Sequence, residues 1–171
     1  MSNPTRTRLQ SHIETHPGQH FNALVRDLDL APGQVQYHIQ RLCTEDAVVQ
    51  AEYYGKTHYY PPEIGEWERG VLALARRETA RDVMFDLLEH SPCSPSEVAE
   101  RVGIARSTLE WHLDHLVEQN IVHKQRDHRN RVTLELTEPE QTVELLNTIE
   151  PSLPARLVDR FERLVDQLLG E

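Results

Sequence analysis

Leu9 and Ile13 stand four residues apart, Phe21, Leu24, Val25 and Leu28 follow at helical spacing, and Val35, Ile39 and Leu42 repeat the pattern. Apolar positions three and four apart line one face of an α-helix, whereas alternation lines one face of a strand. Residues 9–60 therefore predict three helices, then a hairpin that begins near Val48. The pattern then returns. Val83, Met84, Leu87 and Leu88, then Val98 and Val102, then Leu109, Leu113 and Leu116 precede Val122 and the alternating Val132, Leu134 and Leu136. Residues 12–60 lie over 86–134 without a gap, at a constant offset of 74 that puts Leu24 on Val98, Ile39 on Leu113, Tyr37 on Trp111 and His38 on His112. A period of this length marks a repeated supersecondary unit.

Local signals set the element ends. In the second copy Thr79, with Asp82 three residues on, predicts the N-cap of the first helix. Ser94, Pro95 and Glu97 predict a capping box with proline in the first turn, and Gly103 the end of that helix. In the first copy Pro17-Gly18 closes helix one, Pro32 opens helix three, and Gly55-Lys56 reads as a two-residue hairpin loop. Tyr53, Tyr54, Tyr59 and Tyr60 flank that loop and are read as packing. Residues 64–77 carry Ile64, Trp67, Val71, Leu72 and Leu74 at near-helical spacing and predict a connecting helix. Beyond Pro151 and Pro154, Leu157, Phe161, Leu164, Val165 and Leu168 form one stripe, which a helix must bury. Each copy is small for a self-sufficient core, so pairing of the tail with that of a second chain, giving a homodimer, is the expected use of the stripe. The expected layout is 1–62 and 79–138 for the two repeated domains, 63–78 for the connecting helix and 139–171 for a C-terminal helical segment that dimerises.

Composition narrows the class. With 38% hydrophobic and 27% charged residues the chain is that of a folded protein. No apolar run reaches the roughly 20 residues that cross a bilayer, and the polar start MSNPTRTRLQ has no apolar core, so the expectation is a cytoplasmic protein with no membrane partner. Cys43 and Cys93 show no CxxC spacing and predict inert thiols, with a redox sensor as the alternative. His12 and His16 stand four apart and His112 and His115 three apart, but neither pair has a third ligand placed by spacing, so no metal or other cofactor is expected. No phosphate loop, dinucleotide fingerprint, nucleophile elbow or HExxH helix occurs, so no catalysis is expected. Asp and Glu number 28 against 18 Lys and Arg, for a net charge of −10, and lysine occurs only at 56 and 124. This mix resembles proteins of salt-loving archaea. At about 1 M salt the screening length is only about 3 Å, so an acidic chain is not barred from an anionic partner.

The segments VQYHIQRLCTEDAVV and LEWHLDHLVEQNIVH are similar to the recognition helix and following strand of winged-helix regulators of the ArsR and MarR type, particularly the tandem haloarchaeal versions. The resemblance covers about residues 9–62 and 79–137. It implies a fold that is mainly α with small β-hairpin wings (α+β): two tandem winged helix-turn-helix domains plus connecting and C-terminal helices. It also implies a transcriptional regulator that binds double-stranded DNA, with recognition helices in the major groove and wings on backbone or minor groove. On that reading Gln34, Gln36, Tyr37, Gln40 and Arg41 face DNA in copy one, with Lys56 on its wing. Glutamine pairs with adenine, and arginine with guanine or phosphate. Copy two offers Arg106, Ser107, Thr108, Trp111 and His115, opposed by the carboxylates Glu110 and Asp114. Its wing collects Lys124, Arg126, His128, Arg129 and Arg131, a basic cluster suited to phosphate. The resemblance gives His38 and His112 a packing or phosphate-contact role. A two-fold dimer would favour a pseudo-palindromic operator. Two alternatives stand beside this: an acidic tandem winged-helix scaffold like the kleisin-associated subunit of condensin, and a metal- or redox-gated sensor whose small-molecule effector the sequence does not name.

Overall fold

A computed structural model describes residues 3–150 together with Asp166, Leu169 and Gly170. Two compact units divide between Arg76 and Arg77. The first comprises α1 (Pro4–Thr15), α2 (Phe21–Leu28), α3 (Pro32–Thr44), β1 (Val49–Tyr53), β2 (Lys56–Tyr60) and α4 (Glu66–Ala75). The second comprises α5 (Glu78–His90), α6 (Pro95–Val102), α7 (Arg106–Glu118), β3 (Val122–Arg126), β4 (Val132–Leu136) and α8 (Pro139–Ile149). Each unit is thus three helices, an antiparallel hairpin and one further helix, the mainly α architecture with β wings that the sequence predicts. The expected dimerisation residues Leu157, Phe161, Leu164, Val165 and Leu168 lie outside the described residues. Among the described residues no helix is long and apolar enough to cross a membrane.

The repeat is written in the backbone as well as in the side chains. α2 and α6, and likewise α3 and α7, begin and end at the same offset of 74. The left-handed residues that turn the chain after them coincide too: Asp29 (φ 52) with Gly103 (φ 79), and Asp46 (φ 55) with Asn120 (φ 56). Glycine meets no steric penalty in that region, and Asp and Asn tolerate it best among the rest. The correspondence ends at the hairpins. In the first unit Tyr53 pairs with Lys56 across a loop of Tyr54 and Gly55, with φ of 54 and 74. In the second, Arg126 pairs with Val132 across residues 127–131. The gapless overlay therefore fails in the wings, where the second loop is longer. The Gly55-Lys56 loop is also corrected, because the tight turn needs two positive-φ residues in succession and these are Tyr54 and Gly55, leaving Lys56 as the first residue of β2.

Leu9 and Ile13 of α1, Leu24 and Leu28 of α2 and Val35, Ile39 and Leu42 of α3 close over Val48 and Tyr59 as one core. Each fully buried aliphatic chain contributes about 2 kcal/mol of transfer free energy. Backbone bonds from Gly18 N to Tyr59 O (2.9 Å) and Tyr59 N to Gln19 O (3.1 Å) tie the α1–α2 link to the wing. The buried His58 adds a 2.6 Å bond from Nδ1 to the Gly18 carbonyl. α4 belongs to this unit: the Tyr60 hydroxyl donates to the Arg69 carbonyl at 2.7 Å, and Arg76 Nη2 to the Pro17 carbonyl at 3.0 Å. Tyr53, Tyr59 and Tyr60 are all buried.

In the second unit Val83, Met84, Leu87, Val98, Leu109, Leu113, Leu116, Leu134 and Leu146 are buried. Ser94 and Glu97 form the expected capping box, with Ser94 N donating to Glu97 at 2.7 Å and Glu97 N to Ser94 Oγ at 3.3 Å. Thr79 does not cap α5. That helix starts at Glu78 with Arg77 at the cap and no side-chain cap bond. Asp86, nearly buried, accepts both Nε (2.8 Å) and Nη2 (3.0 Å) of Arg101, clamping α5 to α6.

Candidate nucleic-acid interface

In the first unit α3 turns Val35, His38, Ile39 and Leu42 inward and leaves Gln34, Gln36, Tyr37, Gln40 and Arg41 exposed. His38 is only 6% exposed and touches the Tyr37 ring edge-on at 5.2 Å. It does not reach the surface and is placed in the packing, not among contacts to a ligand. Between α3, the start of α2 and the wing runs an open cleft of about 480 Å³, which Gln36, Gln40, Gln50, Lys56, Asn22 and His20 line together with Phe21 and Tyr59. His20 caps α2, its Nδ1 accepting the Ala23 N–H at 3.3 Å. Among the described residues no carboxylate lines this cleft, although the chain holds 28. Gln34 and Arg41 are exposed but do not line it. Among the described residues neither Arg41 nor Lys56 has an acidic partner.

The second unit solves the same geometry with charge. Glu110, at the place of Gln36, accepts from Arg106 Nη2 (3.1 Å) and Lys124 Nζ (3.0 Å), and Arg106 Nη1 donates to Ser96 Oγ at 2.7 Å. Burial pushes the Glu110 carboxyl up, but the bonds from Lys124 and Arg106 outweigh it and hold the group below the usual carboxylate range. Glu110 thus stays ionised, joining α7 to β3. The wing is organised by Asp127, which accepts from the backbone N–H of Arg131 (2.9 Å) and Arg129 (2.8 Å) and from Arg131 Nε (2.8 Å). Those bonds, the Arg131 N–H foremost, lower its pKa. Arg126 Nη1 donates to Asn130 at 3.1 Å. The expected basic cluster is therefore assembled but largely paired within the wing, with the guanidinium of Arg129 and the side chain of His128 exposed.

Ser107 and Thr108 are exposed at the start of α7, and Trp111 is 48% exposed. The Trp111 ring stands against His112 (4.8 Å) and His115 (4.4 Å), with the Arg77 guanidinium 5.9 Å from its centre. Burial, and then the Arg77 charge, lower the pKa of His112. Burial likewise lowers that of His115, although Glu118 pulls it the other way. Both are half-buried and neutral at pH 7, a more recessed position than the expected surface contact. Arg77, His20, Asn22 and Gln50 have no counterpart among the residues expected from sequence, because each reaches the site from another element. The i,i+4 spacings of Arg106 with Glu110 and of Asp127 with Arg131 are visible in the sequence beforehand.

Burial raises the pKa of both Cys43 and Cys93, so neither is poised as a thiolate, which opposes a redox role. The rings of His12 and His16 stack at 4.2 Å, and His12 Nε2 bonds Gln19 at 2.8 Å. Among the described residues no group of three His, Cys, Asp or Glu stands ready to hold a metal.

Two family models match the chain in succession: an N-terminal helix-turn-helix domain over residues 3–72 and a helix-turn-helix domain over residues 74–125. No curated protein matches. Among solved structures, the chain is similar to reduced HlyU from Vibrio cholerae N16961 at 23% identity, covering 49% of this chain and 88% of that one with a TM-score of 0.42. It is similar to overoxidized AbfR bound to DNA at 17% identity, covering 86% and 94%, also at 0.42. A third is MepR, a transcription regulator of the Staphylococcus aureus efflux pump MepA, at 13% identity, covering 61% and 74%, at 0.38.

Proposed function

From the premise that the chain is a tandem winged helix-turn-helix regulator, a non-enzymatic DNA-binding protein, we propose that it recognises a specific duplex sequence in the cytoplasm as a homodimer. In this reading α3 enters the major groove, Gln36 and Gln40 read adenine edges, and Lys56 meets a phosphate from the wing. Gln34, Tyr37 and Arg41 extend the contact along the same helix. In the second unit Ser107 and Thr108 at the start of α7 approach the duplex, while Arg129 and the rest of the wing contact the backbone. The observation that carries the proposal is the carboxylate-free cleft beside α3 in a chain of net charge −10. A surface without a polyanionic partner has no reason to exclude acidic side chains there. The tail stripe supports the dimer, and a two-fold dimer a pseudo-palindromic operator.

The test is binding of genomic fragments by the full chain in molar potassium chloride. Gln36→Ala/Gln40→Ala should weaken the operator at least about tenfold while leaving random DNA unchanged. Lys56→Ala should weaken all sequences alike and lower the slope of log K against log salt by about 1. A wild-type chain that selects no sequence would replace this reading with the scaffold alternative, in which the domains grip a protein segment.

A further inference from the structure

We infer that Glu110 makes the second domain a cytosine reader, so that the two domains of one chain specify different bases from the same helix position. The inference rests on the proposed function and deepens it. Glu110 and Gln36 correspond by the common offset of α3 and α7, and each lies in the angle between its helix and its wing. Glutamine carries a donor and an acceptor and so matches the N6 and N7 of adenine. An ionised carboxylate carries acceptors alone and matches the N4 amino group of cytosine.

A carboxylate beside phosphates is ordinarily repelled. Here Arg106, from α7 itself, and Lys124, from β3, bond one carboxylate oxygen each, which leaves the Arg106–Glu110–Lys124 group with one net positive charge. The same bonds fix the carboxylate plane, while the side chain remains 36% exposed. A carboxylate has about four acceptor directions. Two are used by the cations, and the others stay available to a base edge. The competing explanation is that Glu110 merely masks two cations.

Selection from a random duplex pool by the full chain separates the two, with wild type, Glu110→Gln and Gln36→Glu compared. Expected for Glu110→Gln is a switch at one operator position from C·G to A·T, with about tenfold or greater loss on the original operator. Gln36→Glu places a carboxylate where Pro32 and Gln50 stand instead of Arg106 and Lys124, so without the flanking cations it should weaken binding to every duplex about tenfold or more and gain no cytosine preference. Uniformly tighter binding to every duplex by Glu110→Gln, with the selected operator unchanged, would overturn the inference and leave the proposed function standing. So would a Gln36→Glu chain that binds the operator as tightly as wild type, because the flanking cations would then be dispensable. A wild-type chain that enriches no sequence would overturn both.

Discussion

Small groups of side chains carry much of what distinguishes the two units. Gln36 and Glu110 occupy one position with opposite electrostatic needs, and only the second is hedged by cations. His112 and His115 face Trp111 and Arg77, and burial keeps their imidazoles below the ordinary pKa of about 6.5. A folded-state pKa below the unfolded one means that the unfolded chain takes up protons first. Stability of the second unit is therefore undiminished above pH about 6.5 and falls as pH drops from there toward the folded-state pKa. Denaturant midpoints measured across that window should decline for wild type and decline less for His112→Gln; parallel curves would remove His112 as the cause. The identities of these residues are visible in the sequence, but their partners are not. Arg77 lies far along the chain from Trp111, and nothing in their spacing brings them together.

At the level of elements, strong local chemistry proved readable and weak local chemistry did not. The Ser94–Glu97 box, Pro95 and the left-handed Gly103 define α6 from sequence, because each satisfies a backbone group within a turn of itself. α5 has no side-chain cap, so Thr79 offered a plausible start that the chain does not use. The wing loop misled for a related reason. Tyrosine rarely adopts positive φ, so Tyr54-Gly55 lacks the Asn-Gly or Asp-Gly signature of such a turn. Two glycines separate backbone freedom from close approach. Gly55 (φ +74) has no atom within 4 Å of an added Cβ, whereas a Cβ on Gly18 (φ +91) would stand 3.0 Å from Leu72 Cβ and 3.2 Å from its carbonyl carbon. Gly55→Ala should cost about 1 kcal/mol from the left-handed backbone alone. Gly18→Ala adds overpacking against α4 and should cost about 3 kcal/mol. Urea unfolding of the two variants checks this; equal losses would show that α4 yields freely to Gly18.

For the molecule as a whole, acidity and DNA binding are reconciled by where the carboxylates are absent. The first unit leaves its cleft neutral apart from Lys56, and the second balances Glu110 with two cations, so long-range attraction is weak and short-range complementarity must do the selecting. Assembly is the remaining question at this scale. If the stripe of Leu157, Phe161, Leu164, Val165 and Leu168 joins two chains, a protein ending at residue 150 should sediment as a monomer and lose the avidity of paired half-sites, while each winged unit keeps its fold. An unchanged sedimentation coefficient, corrected for the lost mass, would refute the dimer.

Sequence alone determined the repeat, the helix–helix–helix–hairpin order, the core positions and which side of α3 and α7 stays polar. These follow from periodicity and from groups that act within a few residues, both of which are linear properties of the chain. Tertiary structure alone decided that His38 is packed away and His112 recessed. It also decided that the second wing's arginines are mostly engaged by Asp127 and Asn130, that the two hairpin loops differ in length, and that Gln36, Gln40 and Lys56 share one cleft. Each of these depends on side chains approaching from separate elements, where distance along the chain carries no information about distance in space.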